Sequence, residues 1–445
     1  MARPAGLRHP RPLCARQLNR EPEITTDLME HVFKGKRACG RLKAQPEDFV
    51  VEEITKGGAV LESGRTYAPG DIGIPAAGAG AKFTVFVMQK RNWNTAQALR
   101  EVAKRVGRGI RSSGFAGTKD RFAVTTQLCS IFGASPEAVQ SVHVKDISIN
   151  GAWASDAQVR MGDLAGNRFM VVVREVDDAK PVEDALSALG GRFPNYFGPQ
   201  RFGIRGNNAS VGALMLRQEF EAAVRAYLTD TSNETNASAV DARKRLAEEW
   251  DFGRALAYFP QHLKYERAVI EYLSRFPGNY ANALRKLPRS ILLMFVHAVE
   301  AEIFNAELES RVRAGALAPA SGDTVCPSDK LGFPDYSAMR SFDGTADGTF
   351  IVGSIVGYDT EPNPLEREIL DSMNLTTEMF KVRGMPELNA KGAPRVLFAP
   401  YVGMESSGNG SSISLRFSLP AGSYATSLLA ELADSNTNDA EDSSG

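Results

Sequence analysis

The run FAGTKDRFAVTTQ, residues 115–127, sets one carboxylate, Asp120, between two cations, Lys119 and Arg121, just beyond Gly117. Gly and Asp are turn formers, and a polar stretch between two strands is most often a hairpin loop. The flanking cations add a second reading, because positive charge beside a carboxylate keeps it ionised and favours the approach of a polyanion. An ionised carboxylate serves as a nucleophile or as a general base. Hydrolysis of a glycosidic bond would call for a second acid, and Glu47, Asp48, Glu52 and Glu53 are the candidates nearby in the chain.

Two further runs carry usable chemistry. In LAGNRFMVVV, Asn167 and Phe169 flank Arg168; on a strand they share a face, where an amide can orient a carboxylate and a ring can stack on a nucleobase. A core phenylalanine beside a turn asparagine fits the same pattern. In PNYFGPQRFGIRGNN, Tyr196, Phe197 and Phe202 interleave with Arg201 and Arg205. That mixture suits looped or single-stranded RNA, and equally a packed junction between domains. No dinucleotide-binding glycine motif or phosphate loop is present. The five histidines lack metal-ligand spacing, and the four cysteines lack the pairing of a zinc site or disulfide framework.

These residues need a scaffold. DFVVEEI (48–54) and AKFTVFVMQ (81–89) read as strands. NTAQALREVAKRVG reads as a helix, with Asn94 or Thr95 at its start and Gly107 at its stop. The apolar run at 167–176 is another strand. From Gly191 to Phe398 long amphipathic stretches dominate, among them one near Ser290 whose apolar face Asn305 interrupts. Residues 411–432 then read as strand, turn and helix. Sheet character returns there, so the helical block is read as an insertion into an α+β domain.

At 445 residues, 43% hydrophobic and 24% charged, the chain has ordinary globular composition. Its net charge of -1 conceals basic stretches at 1–41 and 100–121 and an acidic end. No apolar run approaches the roughly 20 residues of a membrane span. The first residues are basic without the apolar centre of a secretory signal, and a cytoplasmic location is expected.

FAGTKDRFAVTTQ, GRLKAQPEDFVVEEI (40–54), LAGNRFMVVVREV (164–176), PNYFGPQRFGIRGNN, EIFNAELESRV (302–312) and LPAGSYATSLLAEL (419–432) together, and in this order, resemble the signatures of the TruD pseudouridine synthases. The resemblance implies an α+β fold: a pseudouridine-synthase catalytic domain with a mixed, largely antiparallel sheet flanked by helices, over 37–190 and 399–433. A mainly helical α/β insertion would occupy 191–398, with a flexible basic segment at 1–36 and an acidic tail at 434–445. It implies isomerisation of a uridine within transfer RNA, at position thirteen for many relatives, without cofactor or metal. RNA is then the partner, and neither a membrane nor an obligatory protein partner is called for. By matching motifs, Asp120 is the nucleophile and Lys119 and Lys43 lie at the active site. Asn167 holds the aspartate and Phe169 stacks on the base. Arg201 of the QRFG run is read as a substrate contact. The chain departs at Ala430, where many relatives carry arginine, so a phosphate contact there does not transfer. A catalytically silent RNA-binding protein, and a nucleosidase or glycosidase, are the alternatives.

Overall fold

The computed structural model describes residues 30–437 apart from 79, 346 and 347. Its centre is a ten-stranded mixed sheet. The first part of the chain supplies β1 (Ala38–Leu42), β2 (Phe49–Thr55), β3 (Phe83–Arg91), β4 (Ser113–Phe115), β5 (Val124–Phe132), β6 (Ile147–Ser155) and β7 (Leu164–Arg174). The last part supplies β8 (Val402–Asn409), β9 (Ser412–Pro420) and β10 (Ala433–Thr437). The strands run in the order β8-β9-β7-β2-β5-β3-β6, with β4 on β5 and β1 between β7 and β10. β2 pairs with β5 in parallel and β1 with β10 in parallel; the other pairings are antiparallel.

Strand alternation decides what each face meets. On β3, Phe86 and Met88 face α1 (Thr95–Arg105) and pack on its Leu99, Val102 and Ala103, whereas Val85 and Val87 pack with Leu61, Tyr67 and Trp153. Asn94 caps α1, its side-chain oxygen accepting from the Ala96 and Gln97 amides, which satisfies donors the first turn would otherwise leave unpaired. Val171, Val173, Leu415 and Phe417 of β7 and β9 pack against α2 (Lys180–Leu189) and α4 (Ala425–Leu432).

Between Arg192 and Pro400 the chain builds a separate helical core around the 26-residue helix α3 (Arg289–Ala314), together with a four-stranded sheet of short strands. The amphipathic stretch after Asn207 is two helices, Asn208–Leu216 and Phe220–Thr229. They break at Gln218, which takes a left-handed φ of 63°. Where this region meets the main sheet, Tyr196, Phe197, Phe304, Leu308 and Phe398 form a further cluster with Tyr424 against it.

No helix of the described residues is long and apolar enough to cross a membrane. The basic segment and acidic tail expected at the two ends fall largely outside the described residues.

Candidate active site

Asp120 sits in the eight-residue loop 116–123 between β4 and β5. Neighbouring elements hold that loop. The Gln127 amide donates to the Gly117 carbonyl at 3.1 Å, and the Lys119 N–H donates to Thr95 Oγ1 at 3.1 Å. Lys90 Nζ donates to the Asp120 carbonyl at 2.8 Å. The Asn92 N–H donates to the Ala123 carbonyl at 3.0 Å, and the Gly162 N–H to that of Ala116 at 2.8 Å. The turn chemistry of the sequence is therefore real, and it mounts the carboxylate rigidly.

The Asp120 side chain is 43% exposed, and its Oδ2 accepts from Lys43 Nζ at 3.1 Å. Lys43 is buried, with its Nζ 4.7 Å from the centroid of the Phe49 ring. Its φ of 51° is left-handed, a conformation that strains any residue with a Cβ and is retained where the surroundings over-determine it. Those surroundings are the PEDF run. Pro46–Asp48 forms a short 3-10 turn. Asp48 Oδ2 accepts from the Gln45 amide, and its carboxylate takes two bonds from Arg174 of β7, at 2.8 and 2.7 Å. Burial opposes the charge on Asp48, but Arg174 and the Gln45 amide hold its pKa below the ordinary value.

Lys119 departs from expectation. Its ammonium turns inward to Glu53 Oε2 at 2.6 Å, with both side chains buried, and does not bond Asp120. Glu53 lies in the middle of the sheet, where its other oxygen accepts from the Leu128 amide at 3.0 Å. A buried carboxylate there needs a cation, and Lys119 supplies it. The four acids considered as second carboxylates are all engaged: Glu47 by Arg91, Asp48 by Arg174, Glu52 by Arg168 at 2.7 Å and Glu53 by Lys119. None bonds Asp120. The paired-acid arrangement of a glycosidase is not assembled among the described residues.

Asn167 and Phe169 share a face of β7, as their spacing requires. Asn167 lies opposite Glu53, and its Oδ1 is buried without a hydrogen-bond partner. It does not bond Asp120. Phe169 is 6% exposed, stacks on Phe417 with centroids 5.4 Å apart, and presents its edge to Phe49 at 6.0 Å. The open stacking surface expected of Phe169 is therefore occupied by protein, because a phenylalanine at this register of a central strand packs into the core beneath α4. Phe49 links it to the Lys43–Asp120 pair.

Arg201 lies in a 3-10 turn, Pro199–Phe202. Its guanidinium sits 5.3 Å from the Phe197 centroid and donates to the Tyr424 hydroxyl at 3.3 Å. Behind it Arg395, which no sequence pattern marks, is buried over Phe197 at 4.1 Å and bonds the Asn195 and Gly422 carbonyls. Burial lowers the Arg395 pKa to about 10. Asn305 of α3 clamps Phe197 through both backbone groups, at 2.9 and 3.0 Å. Its place on an apolar helix face was the visible signal. Of the two readings of this aromatic and basic run, the packed junction holds for Tyr196 and Phe197, while Arg201 keeps partial exposure. The Ala421 N–H donates to the Ala165 carbonyl at 2.9 Å, so this junction borders the end of β7 that carries Asn167.

A family model described as tRNA pseudouridine synthase D (TruD) matches residues 27–432. The chain is 34% identical to the Probable tRNA pseudouridine synthase D of Methanococcoides burtonii, over 93% of this chain and 97% of that protein. It is likewise 34% identical to the protein of the same name from Thermococcus onnurineus, over 88% and 94%. The crystal structure of the TruD protein from Methanosarcina mazei superposes with a TM-score of 0.71 at 28% identity, covering 90% of this chain and 95% of that one. With the motifs in order and the fold matched across nearly the whole length, the chain belongs to the TruD family of tRNA pseudouridine synthases.

Proposed function

We propose that the protein isomerises uridine to pseudouridine in transfer RNA, at position thirteen, with Asp120 as the nucleophile. The supporting observation is an accessible carboxylate, held on a braced loop and paired with a buried ammonium, while Glu47, Asp48, Glu52 and Glu53 are each engaged by another cation. Hydrolysis needs a second acid to activate water; isomerisation does not.

The uridine first leaves its stack, at a cost of a few kcal/mol. The Asp120 carboxylate then attacks C1′, or takes a proton from the sugar to form a glycal, as the N1–C1′ bond breaks and its electron pair leaves with the uracil. The base turns and C5 bonds to C1′, which releases the Asp120 carboxylate where an ester had formed, or takes the sugar proton back from Asp120 where a glycal had; the proton on C5 is then lost while N1 gains one. Atoms are conserved, so neither water nor a redox partner enters. Lys43 donates to the Asp120 carboxylate and balances its charge.

The chain is inferred to divide into a catalytic domain at 37–190 and 399–433 and an insertion at 191–398. Substrate-facing roles are assigned to Asn167, whose buried Oδ1 has no hydrogen-bond partner, and to Arg201 at the junction. Lys119 acts through Glu53 and the loop, and Phe169 as the floor beneath Phe49. RNA phosphates are met by α1 and the turn after it, where Lys104, Arg105 and Arg111 are exposed with no ion pair among the described residues. Arg108 is engaged with the Gly133 carbonyl.

Chromatography of transfer RNA digested after incubation tests the reaction class. A new C-nucleoside is expected. Free uracil would indicate a glycosidase, and unchanged uridine a binding protein.

A further inference from the structure

Lys90 is fully buried at the end of β3, where it continues the row of Phe86 and Met88 facing α1. Its ammonium is directed at the backbone of the nucleophile loop, 2.8 Å from the Asp120 carbonyl and 3.5 Å from that of Lys119. A buried ammonium is costly unless its protons are satisfied, and charge-assisted bonds to carbonyls are stronger than neutral ones. The loop contains no regular structure, so its placement depends on such anchors. Thr95 fixes the Lys119 N–H and, through its own hydroxyl, meets Gln127 at 3.1 Å, while Gln127 holds Gly117. These anchors hold the side of the loop before Asp120, and Lys90 bonds the carbonyl of Asp120 itself.

We infer that Lys90 is a positioning residue for the reaction: its ammonium clamps the peptide that carries Asp120 and thereby sets the carboxylate against Lys43. The role is distinct from that of Lys43, which touches the carboxylate directly, and of Lys119, which neutralises Glu53. The reach from β3 explains why a lysine is used. The loop leads into β5, whose Thr125 pairs with residue 90, and a four-carbon stem can lie along apolar neighbours while its head carries the donors to the loop carbonyls. The inference rests on the proposed activity for its catalytic consequence, but not for the clamp.

The test joins two measurements on the full chain. In RNA-free protein, hydrogen exchange of the Lys119 and Ala123 amides should quicken by about tenfold or more in Lys90→Met, with the interior of β3 and β5 unchanged. In single-turnover assays with transfer RNA, Lys90→Met should slow pseudouridine formation by about 100-fold, the scale of a 1 Å misplacement, while half-saturation by RNA stays within about twofold. Lys90→Arg, which keeps charged donors, should recover most of both. Wild-type rate in Lys90→Met, or faster exchange spread equally over β3 and β5, would overturn the inference. If Lys90→Met does not fold, the same two measurements on Lys90→Gln decide it, by the same outcomes. A wild-type protein that forms no pseudouridine would defeat the proposed function, yet the exchange result would still decide whether Lys90 holds the loop.

Discussion

Two adjacent residues of one loop, Lys119 and Asp120, have opposite fates. Asp120 faces solvent and Lys43, while Lys119 is buried on Glu53. Removing Lys119 leaves a buried carboxylate uncompensated. Lys119→Met should therefore lower unfolding free energy by about 3–5 kcal/mol in urea titration, and the double variant Lys119→Met, Glu53→Leu should recover most of that loss. Lys43→Met removes the partner of an accessible carboxylate. It should cost turnover with little change in the urea midpoint, and a stability loss as large as that of Lys119→Met would contradict the division of roles. The sequence marked Asp120 by its flanking cations and Asn167 by its place beside Phe169, and Lys43 only through its match to the family motif; the structure brings Lys43 to Asp120. The sequence could not show that Lys119 turns inward, because a loop has no periodicity from which a side-chain direction follows. Lys90 stayed hidden for a related reason: its partners lie about thirty residues away in the chain and are backbone atoms.

At the scale of elements, β-branched and aromatic runs located β2, β3 and β7, and helical periodicity with a cap located α1, to within a few residues, since strands covered on both faces are rich in such side chains and Asn94 marks a helix start. The break after Leu216 escaped detection because neither Gly nor Pro marks it; Gln218 adopts the left-handed conformation instead. α3 carries a second consequence of burial. Glu307 is 3% exposed, its Oε2 lacks a partner, and Asn363 meets only its other oxygen. Burial, reinforced by the nearby Glu366 and Asp323 against Arg311 and Asn363, raises its pKa to about 7. A carboxyl with a folded pKa above its unfolded value favours folding while protonated. That contribution is full below about pH 4.5 and is lost as pH rises through about 7, amounting to roughly 3 kcal/mol. Glu307→Gln should accordingly raise the melting temperature at about pH 8 and change it much less at about pH 4; an equal shift at both would show that ionisation is not the cause.

Across the whole molecule, near-neutral net charge coexists with a basic ridge on α1, whose first turn braces the Asp120 loop and whose last turn is cationic. Replacing Arg105 and Arg111 by Ala should weaken binding to transfer RNA of any sequence and flatten the dependence of log affinity on log salt by about 1 for each phosphate no longer neutralised. Turnover of bound RNA should persist. The junction of Arg201, Arg395, Phe197 and Tyr424 joins the two cores beside the strand end that carries Asn167. The most direct test of the account compares wild-type protein and Asp120→Asn on transfer RNA carrying tritium at uridine C5. Wild type should release tritium in step with formation of a C-nucleoside, and Asp120→Asn should bind the RNA with similar affinity and release none. Tritium release by Asp120→Asn at the wild-type rate would contradict the assignment of Asp120 as the nucleophile.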